Sequence, residues 1–219
     1  MKNNNGWARL FLAVVLCLTI TLAACSTAWV GEAEQVVAAL IPAATNIVAL
    51  VAALQGKSVS AGDLQTIQQA GTQAGADLQL IQALITAYQQ ADATAKPGIL
   101  NQIQTAIGTV QANLQALLPA LHIQDTATQT KITAVVGIVL SEVQSLAAIV
   151  PLVSANASPA MMAKAVQKNA PLSAAEFVKS YNATLTAKTG NAELDRATAG
   201  FQIHLHGKVA RWGTAGLLK

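Results

Sequence analysis

Apolar residues recur along much of this chain at alternating spacings of three and four. Leu64, Ile67, Gly71, Ala74, Leu78, Ile81, Ile85 and Tyr88 form one unbroken series. That period places residues on a single stripe of an α-helix. Leu100, Ile103, Ile107, Val110, Leu114, Leu117 and Leu121 repeat it. So do Ile132, Val136, Val139, Val143, Leu146, Val150 and Val153, and, earliest, Val37, Leu40, Ala44, Ile47, Val51 and Leu54. Four seams predict four long helices, over about residues 33–55, 62–91, 98–122 and 126–154.

The segments between them carry start and stop signals. Gly56 can end helix one, while Ser60 with Asp63 three residues on makes a capping-box-like start for helix two. Pro97 stands near the start of helix three, where its missing N–H does no harm. Asp125 or Thr126 can cap helix four, and His122 can serve the end of helix three. Connections this short favour antiparallel neighbours. The expected fold is therefore all-α, an antiparallel up-down-up-down four-helix bundle over residues 33–155. An additional helix is expected near residues 173–189, where Ser173 and Glu176 match a capping box and Phe177, Tyr181 and Leu185 share a face.

The four helices are not equivalent. Helices two and three carry a narrow seam and a face of Gln, Thr and Ala, including Gln65, Gln68, Gln69, Gln82, Gln102 and Gln111. Helices one and four add Val36, Ile41, Val48, Leu50, Val135, Ile138, Leu140 and Ile149 beside their seams. They are neighbours in this topology, so the surplus predicts one apolar patch that something must cover. Three covers are consistent with the pattern: the chain's own C-terminal part, a partner protein or second copy, or lipid or another apolar ligand. Residues 35–56 contain no charge and are long enough to span a bilayer. Pro42, Thr45 and Asn46 make insertion marginal, and Glu142 with Gln144 makes it costly for helix four.

Gly71 and Gly75 place a small-residue pair on the seam of helix two. Such residues allow close helix approach or leave room for an apolar ligand. In the antiparallel arrangement Gly71 is expected level with Leu117, Leu118 and Pro119. Pro42, Pro119 and Pro151 lie in similar contexts, ALIPA, ALLPA and AIVPL, and each should bend its helix. His204 and His206 alternate with Phe201, Ile203 and Leu205, so on a strand both imidazoles would share a face, with Gly207-Lys208 as a turn. Two histidines begin a metal site, but no third or fourth ligand is evident, and a polar strand face is the reading adopted.

Charge refines this organisation. Only 11% of residues are charged and 4% aromatic, leaving little surface for stacking bases or sugars. Residues 26–159 hold three lysines against seven acids, while residues 160–219 hold eight basic residues against three acids. The change marks a boundary near SANASPA, residues 154–160, and residues 156–219 read as a basic extension ending in a short irregular or hairpin-like tail. That basic face could touch polyanions or simply be solvated. Glu142 stands beside seam residue Val143, and a rim position facing solvent accounts for it. No Gly-x-Ser-x-Gly, P-loop, dinucleotide fingerprint or HExxH is present in the sequence. The expectation is a non-catalytic protein with no cofactor, no metal and no nucleic-acid partner.

The N-terminus supplies an address. Lys2 and Arg9 precede an uncharged run from Leu10 to Leu22, a basic region and an apolar core of secretory length. Leu22-Ala23-Ala24-Cys25 then resembles the lipobox of bacterial lipoproteins. The resemblance covers the first 25 residues and no more. It implies that residues 1–24 are a signal peptide, that Cys25 carries acyl chains such as palmitate, and that residues 25–32 are a tether. It also implies a cell-envelope location, with Ser26 favouring the outer membrane in a diderm bacterium. Single acyl chains anchor marginally, so several on one residue are needed for stable attachment. Cys17 would leave with the signal peptide, and the mature chain would hold no disulfide. A membrane-anchored helical scaffold or interaction module is thus expected, with possible self-association through helices one and four. A carrier of lipid or another apolar molecule, using Val36, Ile41, Val48, Gly71, Gly75, Val135 and Ile138, is the alternative, and a membrane-active, holin-like protein the third reading.

Overall fold

A computed structural model describes residues 29–52, 60–120, 125–154 and 173–204. Among these residues the protein is all-α, with six helices and no strand. They are α1 (Trp29–Ala52), α2 (Ala61–Gln90), α3 (Lys96–Ala120), α4 (Thr126–Ser154), α5 (Ala174–Thr186) and α6 (Ala192–Ala199). Cys25, the preceding signal-like segment, His122, the 155–160 boundary and His206 with the tail beyond it lie outside the described residues.

The helix starts rest on identifiable side chains. Ser60 Oγ accepts from the Asp63 N–H at 3.1 Å and donates to the Asp63 carboxylate at 2.6 Å. Asp92 Oδ1 accepts from the N–H groups of Thr94 and Ala95, tightening the turn into α3, where Pro97 occupies the first turn. Asp125 accepts from both the N–H and the hydroxyl of Thr128, which holds its carboxyl below the usual range. Ser173 and Glu176 form a reciprocal capping box at α5. Each satisfies backbone donors that an uncapped helix would leave open.

Consecutive helices pack on one another: α2 on α3, α3 on α4, α4 on α5 and α5 on α6. Against α2, α1 runs in the opposite direction. Trp29 stacks edge-on against Tyr88 at 5.4 Å, and Glu34 accepts from Gln89 at the same end. Val48 meets Gly71 near the other end. Between α2 and α3, Lys96 lies over the Tyr88 ring at 5.1 Å, while Asn113 donates to buried Asp77 at 3.1 Å, again in opposite directions. Asp77 also accepts from Gln73, so each of its carboxyl oxygens has an amide donor. Seam residues Ile67, Leu78, Ile103, Val110, Leu114, Val136 and Val139 are buried in one core cluster. Two helices, Trp29–Ala52 and Thr126–Pro151, are long and apolar enough to cross a membrane, and half of each apolar window is buried within the protein.

Three expectations are corrected. Glu142 is not a solvent-facing rim residue: it is buried at 1% exposure, beside Val143 in the α4 core face. Residues 202–204, including His204, form no strand and carry no polar strand face. The notch at Gly71 is filled from α1, by Val48, and not from Leu117–Pro119 of α3, with which the Asn113–Asp77 bond keeps it level. An eight-residue α6 was not anticipated, because it carries only Leu194 and Thr198 as buried positions.

Candidate functional site

The residues singled out as an apolar surface divide between two neighbouring features. Val36, Ile41 and Val48 stand on α1, and Val135 and Ile138 on α4. Val36 and Val135 are fully buried, while Ile41 and Ile138 are partly buried against the core cluster. Gly71 and Gly75 stand on α2 facing α1. A Cβ at Gly71 would collide with Val48 Cγ2, and the Ala44 carbonyl lies 4.0 Å from it. A Cβ at Gly75 would meet only Thr45 Oγ1, at 3.9 Å. Val48 therefore fills the notch left by Gly71. The larger hydrophobic side chains interlock around an apolar void of about 10 Å³. Trp29 and Ala33, Ile81 and Ile85, Ile103 and Ile107, and Leu146, Ile149 and Val150 line it, one group from each of α1 to α4. A void of that size is at the lower bound for one water molecule and far below a lipid chain.

The C-terminal segment packs over α1 and α4. From α5, Phe177, Val178, Tyr181 and Leu185 are buried, each side chain contributing about 1.5–3 kcal/mol by burial. Tyr181 shares a side-chain hydrogen bond with Asn46 of α1. Burial pushes its phenol up to about 12, partly offset by that bond. Asn46 Nδ2 donates to the Phe201 carbonyl at 2.8 Å. Asn182 both donates to the Ile203 carbonyl and accepts from the Ile203 N–H, each at 2.8 Å, the pattern of a strand edge supplied by a side chain.

The densest polar node is centred on Lys131, in the first turns of α4. Its side chain is 3% exposed. Nζ donates to the Ala187 carbonyl at the end of α5 (2.7 Å), to Thr198 Oγ1 (3.1 Å) and to Asp195 Oδ1 (3.4 Å). All three ammonium donors are thereby used. Burial alone would raise the Asp195 carboxyl, but bonds from the Thr189 hydroxyl and N–H and from Lys131 outweigh it and hold it below the usual value. Thr198 also donates within the node toward the Leu185 carbonyl at 2.8 Å. One lysine thus ties α4, α5 and α6 together.

Sequence reasoning missed this node. The available signal was that Lys131 is the one cation between Lys96 and Lys164 and directly precedes seam residue Ile132. Asn46 and Asn182 gave no comparable signal, since their partners are backbone groups. Beside the node, and sharing Asp195 with it, Lys188, Gly190, Ala192, Asp195, Arg196 and Ala199 line an open crevice of about 460 Å³. Among the described residues no group of three or more His, Cys, Asp or Glu is arranged to hold a metal ion. No family model matches the chain, and no curated protein or solved structure matches it at a significant level.

Proposed function

We propose that this chain is a bacterial envelope lipoprotein, tethered by acyl chains on Cys25, whose helical domain is a non-catalytic scaffold. In this reading α1 to α4 form an up-down-up-down bundle and residues 173–204 are its fifth packing layer. The observation that carries the reading is the seating of Val48 against Gly71, together with a core void of only about 10 Å³. The notch at Gly71, where room for an apolar ligand was expected, is filled by the protein itself, and Val36 and Val135 of the other candidate surface are buried in the core. Lining of that void by all four long helices supports the bundle arrangement. The exposed faces of α2 and α3 are mostly uncharged Gln, Thr and Ala, with Leu80 and Leu118 the exposed large apolar side chains among the described residues. Such a surface suits a soluble domain held at a membrane better than one inserted into it.

The tether is tested by growing cells expressing the chain with an alkyne-bearing palmitate analogue. Wild type should incorporate label and fractionate with membranes. Cys25→Ser should lose label and appear in the soluble fraction. Equal labelling of both would sink the proposed attachment.

A further inference from the structure

The crevice between the end of α5 and the outer face of α6 combines fixed walls, small floor residues and two cations. Its walls are held in place. Asp195 is locked by Thr189 and Lys131, and Asn191 caps α6 by accepting from the Glu193 and Leu194 N–H groups. The turn between the helices passes through Gly190 at φ +84°, a left-handed conformation that favours glycine. Gly190, Ala192 and Ala199 carry no side chain beyond Cβ, so the space of about 460 Å³ stays open between the longer residues.

Charge selects the class of ligand. Lys188 and Arg196 line the crevice and make no ion pair among the described residues. Asp195 is the one acid in the lining, and its oxygens already accept from Lys131 and Thr189. The Lys131 ammonium offsets its charge, which leaves the two outward cations dominant. An ammonium and a planar guanidinium, presented from different elements, suit an oxoanion that accepts from two sides at once. We propose that this crevice binds a phosphate group, held between Lys188 and Arg196.

Position favours a soluble source. Asn46 holds Phe201 beside this C-terminal unit, and it lies about 25 Å along α1 from Trp29 at 1.5 Å per residue. If Cys25, four residues before Trp29 in the sequence, is the tether, the crevice lies toward the end of the bundle distal to it. A soluble phosphate compound is therefore the expected ligand, in place of a lipid headgroup.

Inorganic phosphate is titrated into the purified ¹⁵N-labelled chain at constant ionic strength, with chloride as the control anion. Saturable amide shifts should centre on residues 188–199. They should weaken about tenfold or more in Lys188→Gln and in Arg196→Gln, and persist in Lys179→Gln, an exposed cation on α5 outside the crevice. Both crevice cations are exposed, so the substitutions should leave the helical circular dichroism unchanged. Binding to phosphatidylglycerol vesicles that is lost in Arg196→Gln would support the site and assign it to headgroups. Phosphate shifts without vesicle binding would assign it to soluble ligands. Shifts that fail to saturate, that chloride reproduces, or that survive both crevice substitutions would overturn the proposal and leave the scaffold reading untouched.

Discussion

Gly71 and Gly75 occupy the same face of α2, four residues apart, yet they should respond to alanine with opposite signs. At Gly71 the new methyl would collide with Val48 Cγ2, and valine has little χ1 freedom in a helix with which to move away. Overpacking of this kind costs about 1–3 kcal/mol. The better helix propensity of alanine returns up to about 1 kcal/mol. Gly71→Ala should therefore show a net loss of up to about 2 kcal/mol, a fall of up to roughly 4–8 °C in Tm for a domain of this size. At Gly75 the nearest neighbour of the methyl is Thr45 Oγ1 at 3.9 Å, an ordinary contact. Gly75→Ala should gain up to about 1 kcal/mol and raise Tm by roughly 2–4 °C. Thermal and urea unfolding followed by circular dichroism reads both. Val48→Ala removes the colliding methyl, so the Gly71→Ala/Val48→Ala pair should be more stable than the sum of its single changes predicts. A stabilised Gly71→Ala, or additive behaviour of the pair, would refute the seating of α1 on α2.

Three further outcomes follow from the same geometry. Lys131→Met should strip the end of α5 and Asp195 of their shared donor, so amides of residues 174–199 should exchange with solvent well before those of α2 and α3 do. Burial raises the Glu32 carboxyl from 4.5 to about 7; the folded state then holds its proton more tightly than the unfolded state. That contribution is complete below about pH 4.5 and is lost as pH rises through 7. Glu32 is only half-buried, so the solvent-screened effect is about 1 kcal/mol. Urea midpoints of wild type should fall between about pH 5 and 8, and Glu32→Gln should remove that slope; an unchanged slope would refute the assignment. Tyr181→Phe should cost about 1 kcal/mol through the lost bond to Asn46, and in wild type one tyrosine should resist ionisation until alkaline unfolding, as seen by its ultraviolet absorbance.

The all-helical character was legible because each long helix buries a stripe at helical spacing, and the caps were legible because Ser60, Asp125 and Ser173 bond to residues three positions away. Local chemistry of that kind is written in the order of residues. The partner of Gly71 was not, since spacing shows which face is small but not which of two flanking helices fills it. Glu142 was misplaced for a related reason: a carboxylate one position from the seam can sit on the rim or turn inward, and periodicity alone does not choose. The Lys131 node joins residues 56 to 67 positions apart, and it depends on how α5 and α6 settle on α4. The apolar surplus of α1 and α4 did imply a cover, and α5 is seen there through Tyr181 and the α4 contact.

Native mass spectrometry of the Cys25→Ser chain, purified without detergent, is the most direct test of the claim that this is a filled scaffold and not a carrier. A bare polypeptide mass, as a monomer or a discrete oligomer, is expected. A copurified apolar mass that survives gentle ionisation and disappears in Gly71→Leu would contradict it and place a ligand where Val48 is seen.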